Sequence, residues 1–88
     1  AEGITIKDPS TTYIDYDVKI GSDTLILPNC VIEKGTVVGS SCTIGPNVHL
    51  IKSRVEDGVI IKNSTIVGSR VLAGSKVGPY SYINKDKE

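Results

Sequence analysis

Aliphatic side chains recur at every sixth residue through Ile14, Ile20, Ile26, Ile32, Val38, Ile44 and Leu50. Neither the roughly 3.6-residue turn of a helix nor the two-residue alternation of a plain strand produces such a period. A fixed short period marks a solenoid, in which each repeat is one small unit that buries its apolar side only by stacking on its neighbours.

The residue two before each of these rungs is small or β-branched: Thr12, Val18, Thr24, Cys30, Thr36, Cys42 and Val48. Side chains two apart on a strand share a face, so each hexad sends a large and a small side chain inward. After Leu50 the rungs continue as Val55, Ile61, Ile66, Val71, Val77 and Ile83, with three intervals cut to five residues. Each short step carries a serine two before its rung, Ser53, Ser64 or Ser69, which predicts a tighter corner; Ile60 competes with Ile61 for one rung.

Prolines fix the size of the coil. Pro28, Pro46 and Pro79 each lie two residues after a rung, and 18 residues separate the first two. The next separation is 33, two such coils less the three deleted residues. Proline has no N–H to donate, so a corner outside the ladder suits it. The prolines therefore stack on one corner, with Asn63 expected to fill the intervening coil.

Every third rung then shares a face, giving the columns Ile14/Ile32/Leu50/Ile66/Ile83, Ile20/Val38/Val55/Val71 and Ile26/Ile44/Ile61/Val77. The expected fold is all-β, a single-stranded parallel β-helix of about four triangular coils. Residues 1–11 are a lead-in, 12–83 the hexapeptide coils and 84–88 a charged tail, Lys85-Asp86-Lys87-Glu88, able to solvate an open edge. Composition agrees: there is no Phe, Trp or Met to fill a compact globule, and Val, Ile and Leu suit a pleated surface. Handedness does not follow from the pattern, since ordinary parallel crossovers are right-handed in about 98% of cases.

The hexads Ile20-Gly21-Ser22-Asp23-Thr24-Leu25 and Ile44-Gly45-Pro46-Asn47-Val48-His49 resemble the repeat of left-handed β-helix acyltransferases. The opening from Gly3 to Asp15, GITIKDPSTTYID, resembles the start of the C-terminal domain of bifunctional N-acetylglucosamine-1-phosphate uridyltransferase/glucosamine-1-phosphate acetyltransferases. The likeness continues through Ile32-Glu33, Ile61-Lys62-Asn63-Ser64 and Val77-Gly78-Pro79-Tyr80. It implies a left-handed coil, a homotrimer, acetyl-CoA as the parent's cosubstrate and a role in making the sugar nucleotide for cell-wall synthesis. It also implies that the acetyl-transfer residues lie mostly further along, beginning with an arginine where this chain reads Ile83-Asn84-Lys85-Asp86. Asn84 lacks the permanent charge and forked donors of an arginine facing a sugar phosphate. The chain is thus expected to be a truncated part of a larger protein, as its lack of methionine and its Ala1-Glu2-Gly3 start suggest, and to be inactive alone.

No residue is assigned a catalytic, cofactor-binding or metal-binding role. His49, the one histidine, has the right chemistry for a general base, but it precedes rung Leu50 and therefore faces outward. Cys30 and Cys42 occupy small inward positions on different faces and read as buried apolar thiols in a reducing cytoplasm rather than as a disulfide or metal pair. Asn63-Ser64-Thr65 has the form of a glycosylation acceptor but sits in a corner of a chain without a secretion signal. Asp15, Asp17, Asp23, Glu33, Glu56 and Asp57 read as a solvated outer surface. The glycines beside Ile20, Val38, Ile44 and Val77 read as turn residues.

A formal net charge of zero gives no electrostatic reason to expect nucleic acid or an anionic membrane as partner, and no apolar run is long enough to span a bilayer. A cytoplasmic protein is expected. Two other readings share the repeat: the C-terminal oligomerisation module of another sugar-nucleotide pyrophosphorylase, and an ice-binding solenoid. The latter needs a regular outward threonine array, which Thr5, Thr11, Thr43 and Thr65 do not form. Outward Leu27, Val37, Ile51 and Val67 favour self-association.

Overall fold

A computed structural model describes residues 3–84. Fourteen short strands make up the ordered elements, with one 3-10 turn, Pro9–Thr11, and no α-helix among the described residues. They are β1 (Thr5–Ile6), β2 (Tyr13–Ile14), β3 (Lys19–Ile20), β4 (Leu25–Ile26), β5 (Val31–Ile32), β6 (Val37–Val38) and β7 (Thr43–Ile44). The second half holds β8 (His49–Ile51), β9 (Arg54–Val55), β10 (Ile60–Ile61), β11 (Thr65–Val67), β12 (Arg70–Val71), β13 (Lys76–Val77) and β14 (Tyr82–Asn84).

Every third strand pairs in parallel, producing three sheets: β1-β4-β7-β10-β13 (face I), β2-β5-β8-β11-β14 (face II) and β3-β6-β9-β12 (face III). The rungs align as the period requires, for example Ile14 with Ile32, Ile32 with Leu50, and Val38 with Val55. Inside, Ile26, Ile32, Ile44, Leu50, Ile61 and Ile66 have no exposed surface. The small inward positions pack between them, and the polar ones are satisfied: the Thr24 hydroxyl donates to the Gly39 carbonyl at 2.8 Å and accepts from the Cys42 amide.

The fold has about five turns rather than four. Ile6 pairs with Ile26, so part of the expected lead-in is a rung of face I. The 3-10 turn that follows it, capped by the Asp8 carboxylate on the Ser10 amide, lengthens that coil and hides the six-residue step. The tail Lys85–Glu88 lies outside the described residues.

From Ile26 onward, the residue three before each rung has positive φ: Asp23, Asn29, Gly35, Ser41, Asn47, Lys52, Gly58, Asn63, Gly68, Gly74 and Tyr80. A left-handed residue reverses the chain direction in a single step, which favours Gly, Asn and Asp there. The amides of these residues also ladder between coils: Ser41 donates to Ser22, Asn47 to Pro28, Gly58 to Ser40 and Asn63 to Pro46. Asn63 therefore continues the Asn29/Asn47 column and not the proline column, because its coil has lost the residue at the proline position. Gly58 lies three before Ile61, which makes Ile61 the rung; Ile60 is half-buried and points outward.

The serines explain how the short corners close. The hydroxyls of Ser53, Ser64 and Ser69 each donate to the carbonyl two residues back, at 2.8, 2.7 and 3.2 Å. A buried serine thus satisfies a carbonyl that the tightened turn removes from water. Glycine is needed just after the rung at Gly78, where φ is +94° and an added Cβ would sit 2.0 Å from the Lys62 carbonyl oxygen.

Ile61→Ala removes a fully buried rung and should cost about 2–5 kcal/mol in urea unfolding, whereas Ile60→Ala should cost about 1 kcal/mol; equal losses would contradict the rung assignment. Tyr80 holds a left-handed φ of 64° and is 86% exposed. Tyr80→Asn should therefore raise stability by about 1 kcal/mol, read as a higher urea midpoint.

Candidate functional site

The strands place their remaining side chains on the outer walls, so any chemistry lies in outward stacks. On face II the register sets Tyr13, Val31, His49, Thr65 and Tyr82 above one another. His49 is half-exposed, and its Nε2 lies 2.6 Å from a Glu33 carboxylate oxygen one coil away. A carboxylate on one ring nitrogen fixes the imidazole plane, and that atom is then occupied by its neighbour.

Tyr13 donates its hydroxyl to the Asp15 carboxylate, and that hydrogen bond and charge push the phenol pKa up. The other Asp15 oxygen accepts the Lys34 amide at 2.7 Å, so this carboxylate serves a corner.

Face III carries Arg54 and Arg70 in direct register on β9 and β12. Glu56 ties Arg70 to the next corner: one oxygen meets Arg70 Nε and the other accepts the Ala73 amide at 3.2 Å. Arg70 holds the Glu56 pKa below the usual carboxylate range. Asp57 beside it accepts the Ser40 amide at 2.8 Å. A groove of about 500 Å³ runs over these residues, with Val37 and Gly39 in its floor. A second hollow, about 300 Å³, opens at the N-terminal end of the prism among Ile4, Ile6, Ile14, Val18 and Ile20. His49 lines neither.

Cys30 and Cys42 are free and buried, one before face II and one before face I. Burial pushes the Cys30 thiol pKa up, away from the reactive thiolate. Ser64, the middle of Asn63-Ser64-Thr65, spends its hydroxyl on the Lys62 carbonyl. Asp23 and Asn63 are left-handed corner residues, as are Gly35 and Gly58. Thr5 and Thr43 share face I with Leu25 between them, so no threonine array forms. Among the described residues no three His, Cys, Asp or Glu side chains gather as a metal site. Sequence reasoning did not anticipate the Glu56–Arg70 contact; its signal was the pair of arginines, each immediately before a rung on successive coils of one face.

Residues 17–52 match the family described as bacterial transferase hexapeptide (six repeats). That repeat is the one that winds left-handed β-helices, and the three-sheet parallel coil fits it. The chain is 45% identical over 84 residues to the Bifunctional protein GlmU of Thermoanaerobacter pseudethanolicus, covering 96% of this chain and 18% of that protein. It is 48% identical over 81 residues to the one of Clostridioides difficile, covering 92% and 18%. The chain thus spans about a fifth of the length of these curated relatives. Among solved structures, a perosamine N-acetyltransferase from Caulobacter crescentus superposes with a TM-score of 0.57 at 17% identity. That match covers 86% of this chain and 48% of the other, and shows the shared fold.

Because Glu56 has a depressed pKa when folded, its contribution to stability is present above the ordinary carboxylate pKa and is lost as pH falls through the folded value. Urea midpoints of the parent chain and Glu56→Gln should therefore differ at pH 7 and converge as the solution is acidified through the carboxylate range. A difference that persists unchanged into strong acid would show that Glu56 acts by packing rather than by charge.

Proposed function

Taking as given that the chain is a hexapeptide-repeat domain matching one segment of the bifunctional GlmU proteins, we propose that it forms the opening coils of a glucosamine-1-phosphate acetyltransferase domain. The observation that carries this is the identity of 45% sustained over 96% of the chain. It favours this parent over the solenoid module of another sugar-nucleotide pyrophosphorylase.

In the whole enzyme, acetyl-CoA gives its acetyl group to the amine of glucosamine 1-phosphate. An N–C bond forms, the C–S bond breaks and the coenzyme leaves as a thiol, on the way to the UDP-N-acetylglucosamine used in cell-wall precursor synthesis. The part described here supplies scaffold to that reaction. Several of its polar outward groups are committed to one another or to corners: His49 to Glu33, Arg70 to Glu56, Asp15 and Asp57 to backbone amides. Asn84 stands where the acetyltransferase resemblance places an arginine, which removes the forked donor for the sugar phosphate.

The isolated chain is then a trimer-forming cytoplasmic scaffold with no cofactor, metal, nucleic-acid or membrane partner of its own. No helix among the described residues is long and apolar enough to cross a membrane. Incubating the purified chain with acetyl-CoA and glucosamine 1-phosphate, with thiol release followed by a chromogenic disulfide, should give no rate above the blank. Turnover that requires the sugar phosphate would overturn the scaffold reading, and its loss in His49→Ala would move the chemistry onto face II.

A further inference from the structure

Both arginines of the chain stand on one wall. Arg54 and Arg70 lie in direct register, and the outward column of face III runs Lys19, Val37, Arg54 and Arg70, with no carboxylate at any strand position. Neighbouring strands are about 4.8 Å apart, and like charges directly opposite one another destabilise a sheet. Two guanidinium groups held at that spacing call for negative charge beside them.

The chain supplies only part of it. Glu56 meets Arg70 at Nε and its second oxygen accepts the Ala73 amide, so this carboxylate serves one arginine and one corner. The ion pairs among the described residues are Glu56 with Arg70 and Glu33 with His49, and neither includes Arg54. Arg54 is exposed, and the terminal nitrogens of Arg70 remain as donors beyond the Nε that Glu56 takes. Asp57, in the corner toward face I, holds the Ser40 amide with one oxygen. These side chains surround the groove of about 500 Å³, where Val37, Gly39 and Val55 also lie. Gly39 keeps the groove open, since a Cβ there would sit 2.3 Å from an Asp57 carboxylate oxygen.

We propose that face III binds a small oxyanion, the phosphoryl group of a phosphate monoester or free phosphate, between the guanidinium groups of Arg54 and Arg70. A guanidinium presents its N–H donors in a planar fork that matches phosphate oxygens, which the point charge of an ammonium does not. Every other strongly basic side chain of the chain is a lysine, so the two forks stand together at this one place. The anion supplies the charge that Glu56 leaves uncompensated and relieves the repulsion between the two coils. Glu56 holds Arg70 against its corner and competes with the anion for it. The valines of the groove give an organic body on the phosphate an apolar surface to cover. The inference does not rest on the acetyltransferase reading, and the failure of either leaves the other standing.

The test is a nuclear magnetic resonance titration of the isotope-labelled full chain, with inorganic phosphate in one arm and phenyl phosphate in the other, at ionic strength held constant with sodium chloride. The amides of Gly39, Arg54 and Glu56 and the Nε–H of Arg54 should shift and saturate. Arg54→Gln should raise the dissociation constant by at least about tenfold. Glu56→Gln, which releases Arg70 and removes the competing carboxylate, should lower it by about threefold. Lys7→Gln on face I should leave it unchanged. The opposite signs expected for Arg54→Gln and Glu56→Gln separate a lost contact from a damaged fold, which circular dichroism checks for each variant. Tighter binding of phenyl phosphate would identify a phosphate ester as the occupant, and equal binding would identify free phosphate. No saturable shift with either anion, binding that survives Arg54→Gln, weaker binding in Glu56→Gln, or an equal loss in Lys7→Gln would overturn the proposal.

Discussion

One left-handed residue per corner holds this solenoid together. It sits three positions before the buried rung in every corner after Ile20, turns the chain toward the next face, and in most corners gives its amide to the coil before. Once that residue is fixed, the small inward side chain and the rung follow at set distances. The strands can then be as short as two residues, because the corner and not the strand determines direction.

This constraint explains what could be read in advance. The rungs were plain because each hexad has one inward aliphatic whose loss would open the core, and burial of Ile26 through Val71 bears that out. The left-handed column was also written in the chain, as Asp23, Asn29, Gly35, Asn47, Gly58 and Gly74, and attending to it settles Ile61 over Ile60 and moves Asn63 off the proline column. Ser41, Lys52 and Tyr80 obscured it, since none of those residue types favours a positive φ. The rung at Ile6 stayed hidden for a different reason: the 3-10 turn at Pro9–Thr11 makes its coil 20 residues long, from Ile6 to Ile26.

Less of the outer surface was legible. His49 was correctly placed outward by its position beside Leu50, but its pairing with Glu33 depends on which rotamers two long side chains adopt across neighbouring coils. The same holds for Glu56 and Arg70. The wall a side chain occupies follows from its place in the hexad and could be drawn from the chain once the columns were known. The partner each charge selects could not.

The serine-closed corners carry a consequence for how such a chain can change. In a flat sheet, losing one residue from a strand turns every later side chain to the opposite surface. Here three separate deletions, before Val55, Ile66 and Val71, leave the aliphatics facing inward, because each loss falls in a bend and a hydroxyl replaces what the missing residue did. The bends act as gaskets that absorb single-residue gains and losses, so lineages of this solenoid can vary in length without breaking the stack.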